Sequence, residues 1–279
     1  MTGFSSFIAI ASSFKAVFFD QYGVLHDGRN PYPGARDALA ALKAHGVKLV
    51  ILSNSGRSGA ANAERMAALG FEPTLYDFLV TSGDVARTLL KRGLFQALLE
   101  PGARCFVIST GGDDEFAWAL GVVPTPRSDA ADLVIIAGSQ ADKVSLDDYR
   151  TMLAPAARRG APCLCTNPDK LMLAAAGNAP GAGRIAEIYE ELGGAVTWVG
   201  KPFPEIYRAA AELAEVQDPR DVLCVGDSVE QDIAGANRFG AFAALVRTGI
   251  LASLSDKELA AEIGRHEALP DYVFRNLAS

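Results

Sequence analysis

Four stretches of the chain end an apolar run with side chains able to do chemistry. KAVFF (15–19) leads into DQYG, which places Asp20 at the tip of the run and Gly23 in the turn beyond. A carboxylate there can attack phosphorus when a cation screens the charge of both partners. It can equally do no more than start a turn. VILSNSG puts Ser53 and Asn54 after a second run, where the backbone N–H groups of 54–57 could face an oxyanion ahead of a helix. Ser and Asn also cap helices with no further duty. VGKPFPEIY sets Lys201 on a short turn stiffened by Pro202, with Pro204 opening a helix. An ammonium fixed there would hold a nearby carboxylate ionised and bind phosphoryl oxygens; a solvated surface lysine is the plainer reading. VLCVGDSVEQDI carries Asp227 directly after an apolar run and Asp232 five residues on. Two carboxylates at one junction repel unless something cationic sits between them, and Mg²⁺, a hard ion taking oxygen ligands, suits such a pair. N-capping explains one of these aspartates but hardly both.

These residues need a frame. Strands are expected at 15–19, 47–52, 104–109, 133–137, 161–165, 221–225 and 241–246, separated by amphipathic stretches such as ARDALAALKAHG and EIYRAAAELAEV. Near-continuous apolar strands alternating with helices predict an α/β protein with parallel sheets covered on both faces. In such sheets ligands gather beyond the carboxyl ends of strands, where all four motifs fall. Gly46, Gly70 and Gly160 stand where helix C-caps are needed. Residues 1–82 and 181–279 hold every one of the motifs, and 83–180, bracketed by TSGD and NAPGAG, form a βα unit of their own. That pattern is one domain inserted into another.

Composition narrows the function classes. The 279 residues carry a net charge of -7 with no like-charge block longer than three, which argues against nucleic-acid or anionic-membrane partners. No apolar run reaches the ~18 residues of a membrane span, and FSSFIAIASSF lacks the basic start of a signal peptide, so it reads as a short helix or arm on the core. Cys105, Cys163, Cys165 and Cys224 each lie in an apolar run, as core thiols of a reducing, cytoplasmic compartment would.

The order of the motifs, Asp20, then Ser53, then Lys201, then GD-x-x-x-x-D ending at Asp232, resembles the haloacid dehalogenase-like superfamily over residues 15–250. TNPD at 166–169, PGAG at 180–183 and GKPFPEIY at 200–207 are similar to its class IIA, which includes nucleotide and 4-nitrophenyl phosphatases. The resemblance implies a Rossmann-like three-layer core with an inserted α/β cap and a Mg²⁺-dependent phosphomonoester hydrolase acting on a small phosphorylated metabolite. It makes Asp20 the nucleophile and a metal ligand. Ser53, Asn54 and Lys201 would hold the phosphoryl group, and Asp227 and Asp232 would hold the metal. A cap loop at Asn167 and Asp169 would meet substrate, the Gly181 and Gly183 segment would be a hinge, and Arg57 could pair with a second anion. Some members dimerise through the cap, so a homodimer is open.

One position departs from the pattern. Phosphatases of this superfamily carry a second Asp two residues after the nucleophile, as general acid and base; here it is Tyr22. Its backbone carbonyl can still serve the metal, but a phenol with pKa near ~10 is a poor base at neutral pH. His26 and Asp27 are the nearby substitutes, with His26 read more plainly as a surface turn residue. Asp-x-Tyr-Gly also resembles haloacid dehalogenases, whose halide leaves without a proton. Those enzymes use no metal and leave the Asp227/Asp232 pair without a task. A weakened enzyme that binds phosphorylated ligands is the third reading.

Overall fold

The computed structural model describes residues 6–95, 100, 102–112, 114–174 and 177–278. Its strands in chain order are β1 (Ala16–Asp20), β2 (Lys48–Ser53), β3 (Phe78–Thr81), β4 (Arg104–Ile108), β5 (Val123–Pro124), β6 (Leu133–Ile136) and β7 (Cys163–Cys165), then β8 (Leu171–Ala174), β9 (Gly177–Pro180), β10 (Val196–Trp198), β11 (Val222–Gly226), β12 (Phe242–Val246) and β13 (Tyr272–Phe274). The helices are α1 (Phe7–Ala11), α2 (Ala35–Ala44), α3 (Gly59–Ala68), α4 (Ser82–Lys91), α5 (Glu115–Leu120), α6 (Leu146–Arg158), α7 (Ala182–Glu191), α8 (Pro204–Leu213), α9 (Ala234–Phe239) and α10 (Asp256–His266). No helix among the described residues is long and apolar enough to cross a membrane.

The chain forms two compact units. The first comprises Met1–Ser53, Gly59–Val80 and Lys201–Ser279. Its six-stranded sheet has the order β13-β12-β11-β1-β2-β3, with β1 parallel to both β2 and β11, and β12 parallel to β11 and β13. Val17, Phe19, Leu49, Ile51, Leu223 and Val225 point to one face and pack with α1, α2 and α3 through Phe7, Leu39 and Met66. Phe18, Val50 and Cys224 are buried on the other face, as are Ile206 and Tyr207 of α8. Burial on both faces is why these strands are apolar throughout rather than alternating. The FSSFIAIASSF segment does form a short helix, and Phe7 meets the rings of Phe19 and Phe274 edge-on at 6.1 and 5.3 Å.

The second unit comprises Asn54–Ser58 and Thr81–Gly200. Its five-stranded sheet, ordered β10-β7-β6-β4-β5, is parallel throughout, and β8 and β9 form a separate antiparallel hairpin. Tyr149 and Leu153 of α6, with Ile185 and Tyr189 of α7, cover Val134, Ile136, Cys163 and Cys165. This unit runs to Gly200, twenty residues beyond the boundary suggested by PGAG. Strand β10 pairs with β7, and the N–H groups of Gly181 and Gly183 donate to the carbonyls of Lys170 and Asp169. The PGAG segment is thus tied to the TNPD loop rather than leading out of the unit. All four cysteines are free and buried.

Candidate active site

Asp20 is the last residue of β1, the strand flanked by β11 and β2, and Asp227 follows the last residue of β11. Because β1 and β11 run parallel with Phe19 opposite Val225, both carboxylates emerge at the same end of the sheet. Beyond Asp227 the chain makes a single π-helical turn, Val229–Ile233, before α9. Turns of that type are frequent at functional positions. This one places Asp232 so that its Oδ2 accepts the Ser228 N–H at 3.0 Å. One oxygen from each of Asp20, Asp227 and Asp232 lies within 4.8 Å of the other two.

Lys201, 3% exposed, arrives on the turn before α8 and donates to Asp20 Oδ1 and, at 2.7 Å, to Asp232 Oδ1. Burial alone would lower its pKa, but the Asp20 and Asp232 carboxylates more than reverse that and hold the ammonium charged. Asp227 has a different surrounding. Its Oδ2 accepts the Ile250 N–H at 2.8 Å, while burial and then the neighbouring Asp20 and Asp232 charges push its carboxyl well above the ordinary carboxylate range. Three clustered carboxylates against one ammonium form an anionic oxygen donor set, the kind a hard divalent cation satisfies.

Two glycines make room for Asp227. A Cβ on Gly23, whose φ is +93°, would stand 2.2 Å from Asp227 Oδ2, and one on Gly249, at φ +52°, only 1.8 Å from it. Any larger residue at either position would displace the carboxylate. Gly23 is visible in DQYG. Gly249 and its neighbours Thr248 and Ile250 escaped the sequence reading, although TGI follows the strand AFAALV after the single residue Arg247 and the same strand-end logic would have found them.

Ser53 ends β2, one residue past Leu52, which pairs with Asp20, and is 8% exposed. Asn54 and Asn167 belong to the second unit. There the Asn54 carboxamide donates to Asp169 Oδ1 at 2.9 Å, and Asn167 Oδ1 accepts the Asp169 N–H at 3.1 Å. Arg57 is exposed in that unit.

Tyr22 lies in the turn that follows Asp20, closed by the Gly23 N–H on the His26 carbonyl and the Leu25 N–H on the Gln21 carbonyl. Its ring is 40% exposed and meets the His26 ring edge-on at 5.8 Å. Burial, then the Asp27 and Asp227 charges, raise its phenol, so it stays protonated at neutral pH.

The two suggested substitutes for the missing acid are placed differently from expectation. His26 is not a surface residue: it is 2% exposed, and its Nδ1 accepts the Gly28 N–H at 2.9 Å. Nε2 therefore carries the proton and faces the Gln21 carboxamide at 3.3 Å. Orienting that carboxamide with its oxygen toward the ring satisfies both groups and leaves no orphaned buried oxygen at Gln21. Burial, then the Arg65 charge, lower the His26 pKa to about 4, so the imidazole is neutral and structural. Asp27 Oδ1 accepts the N–H groups of Asn30 (2.6 Å) and Arg29 (2.8 Å), which hold its carboxyl below the usual range and ionised. Neither is in its acid form at neutral pH.

The His26 environment has a consequence for stability. A base whose folded pKa is about 4 against an ordinary 6.5 binds more protons unfolded than folded between those values. Its contribution is complete above pH ~6.5 and is lost as pH falls toward ~4. In urea titrations across that window, His26→Asn, which keeps an acceptor for the Gly28 N–H, should show a shallower acid decline than the wild type. Identical slopes would mean that His26 is not held neutral.

The fold and the carboxylate–lysine cluster define a family. A model of haloacid dehalogenase-like hydrolases matches residues 17–123, and a second, HAD-hydrolase-like model matches residues 198–279. The chain belongs to the haloacid dehalogenase-like hydrolases, in class IIA. It is 30% identical to human (Homo sapiens) chronophin over 277 residues, covering 95% of this chain and 91% of that one. Among solved structures it is similar to a p-nitrophenyl phosphatase of Archaeoglobus fulgidus, with 29% identity, a TM-score of 0.74 and coverage of 95% and 97%. It is also similar to a glycerol phosphate phosphatase of Mycobacterium tuberculosis in complex with magnesium, with 28% identity, a TM-score of 0.74 and coverage of 96% and 77%.

Proposed function

We propose that the chain is a Mg²⁺-dependent phosphomonoester hydrolase that forms an aspartyl-phosphate on Asp20. The observation that carries this reading is the approach of the Asp20, Asp227 and Asp232 oxygens to within 4.8 Å of one another, with buried Lys201 bridging two of them. Asp20, Asp227, Asp232 and the Tyr22 backbone carbonyl would hold Mg²⁺, which supplies electrostatic screening of the phosphoryl charge when bound.

The protein's own groups carry the rest. Asp20, ionised beside Lys201, attacks phosphorus in line with the departing oxygen. The Ser53 hydroxyl and the Lys201 ammonium stabilise the phosphoryl oxygens as charge builds on them. Asp232 fixes Lys201, so the ammonium does not collapse onto Asp20 alone. Water then cleaves the aspartyl-phosphate.

The unit built from Asn54–Ser58 and Thr81–Gly200 is proposed as the cap that selects a small phosphorylated substrate, with Asn54 and Asn167 as binding residues. The buried free thiols support a reducing, cytoplasmic setting. Tyr22 is what a dehalogenase would also carry, but such an enzyme has no use for an anionic cluster that includes Asp227 and Asp232.

The test is phosphate release from a panel of phosphomonoesters, including 4-nitrophenyl phosphate, in Mg²⁺ or in EDTA, with Asp20→Asn in parallel. Release should need both Mg²⁺ and Asp20 and fall to background without either. Release that persists in Asp20→Asn would remove this residue as nucleophile, and silence across the panel would remove the phosphatase reading.

A further inference from the structure

The turn after β12 closes over the carboxylate cluster by contacts that no motif announces. In the sheet, β11 lies between β12 and β1, so a residue leaving β12 must span two strand spacings, roughly 10 Å, to reach the turn that follows Asp20. Thr248 makes that span: its hydroxyl donates to the Gly23 carbonyl at 2.5 Å. Two residues on, the Ile250 N–H donates to Asp227 Oδ2 at 2.8 Å. Between them Gly249 passes so near that a Cβ would come within 2.7 Å of Gly23 Cα. Thr248, Gly249 and Ile250 thus arch over the tip of β11, and Asp227 is held beneath.

The arch is itself anchored. The Arg247 N–H donates to the Phe274 carbonyl on β13, and the Arg247 guanidinium bonds to the Leu254 carbonyl at 2.6 Å and to Asp256. The ends of the 247–256 segment are thereby clamped, and the Thr248 hydroxyl is a direct side-chain link from it to the Gly23 turn. A hydroxyl on a carbonyl looks minor. Here it joins two turns, one holding the Asp227 carboxylate and the other the backbone of Tyr22 and Gly23.

We propose that Thr248 is a positioning residue for the cation site, locking the Gly23 turn onto the Ile250 N–H so that Asp227 and the Tyr22 carbonyl keep the separation that Mg²⁺ requires. The inference rests on the Mg²⁺-dependent reading above. Partners that orient metal ligands without touching the metal typically account for about 10–100-fold in affinity.

The test compares Thr248→Val, which keeps the branched shape but loses the donor, with Thr248→Ser, which keeps the donor. Mg²⁺ affinity is read by calorimetry on the full chain without substrate, and melting in EDTA checks folding. Thr248→Val should bind Mg²⁺ about 10–100-fold more weakly, while Thr248→Ser stays near wild type. At saturating Mg²⁺ the KM for 4-nitrophenyl phosphate should be unmoved in both. Thr248→Ala is read in the same way should the Val variant not fold. Wild-type Mg²⁺ affinity in the Val variant, or a Ser variant as weak as it, would overturn the positioning role alone. Absence of Mg²⁺ uptake by the wild type would overturn both this role and the phosphatase reading.

Discussion

Replacing Tyr22 with Asp is expected to raise turnover of alkyl phosphomonoesters by about 10²–10⁴, the usual contribution of a positioned general acid–base. An alkoxide departs poorly unless a proton meets it, whereas 4-nitrophenolate leaves as a stable anion. The wild type should therefore show a steep dependence on leaving-group basicity and the Tyr22→Asp variant a shallow one. The site tolerates the change on structural grounds. The Tyr22 side chain is 40% exposed, so its truncation opens no sealed cavity, and the turn is held by backbone bonds that do not use the ring. His26 and Asp27 cannot make the change redundant, since the first is a neutral buried acceptor and the second an ionised turn cap.

The same substitution should act on the second half of the reaction. Without a base to activate water, the aspartyl-phosphate formed from an activated ester is expected to outlast its formation. Wild-type enzyme mixed rapidly with 4-nitrophenyl phosphate should then release a burst of about one phenolate per active site. Tyr22→Asp should weaken or abolish that burst. If the variant were no faster than the wild type on alkyl esters, the proton would have to come from another source and the role given to position 22 would fail.

Lys201→Met is expected to cost about 3–5 kcal/mol of stability in EDTA near pH 7.5, the range for removing one partner of a buried ion pair. Lys201 is 3% exposed and donates to Asp20 and Asp232, so its loss leaves those carboxylates, with Asp227 close by, short of their counter-charge. The sign of the pH effect follows from the same cluster. Asp227, whose folded pKa is raised by burial and its carboxylate neighbours, contributes stability at low pH and loses it as pH climbs through that pKa. The Lys201 charge that opposes this shift is gone in the variant, so the deficit should grow from mildly acidic to alkaline pH. Mg²⁺ should recover part of it by replacing the missing charge. Denaturant titrations at two pH values, with EDTA or Mg²⁺, measure all three effects. A Lys201→Met variant as stable as the wild type in EDTA at both pH values would show that the ammonium does not balance the cluster. Catalysis should be lost in the variant whatever its stability.

Much of the site was legible because each of its parts is local in sequence. Apolar runs buried on both faces announce β1, β2 and β11, and in a parallel sheet the residue after such a run emerges at the ligand-binding edge. That logic pointed to Asp20, Ser53 and Asp227, and the need of two nearby carboxylates for a cation added Asp232. β3, β5, β10 and β13, two to four residues long, carry too little periodicity to be read, whereas the equally short β6 and β7 lie within the longer apolar runs LVIIA and APCLC; β8 and β9 adjoin the PGAG segment that reads as a boundary.

The sequence by itself determined the strand tips, the residue types placed on them, and the departure at Tyr22, since apolar patterning and turn chemistry act over a few neighbouring residues. Only the tertiary structure decided which tips meet. Lys201 bonds to Asp20 across 181 positions because β11 inserts beside β1, an order no local pattern encodes. It also decided that His26 turns inward, that β10 joins the second sheet and α7 packs against it, and that Thr248 reaches over β11 to the Gly23 turn. Each of those outcomes depends on which strands become neighbours, and that is settled by packing of the whole core.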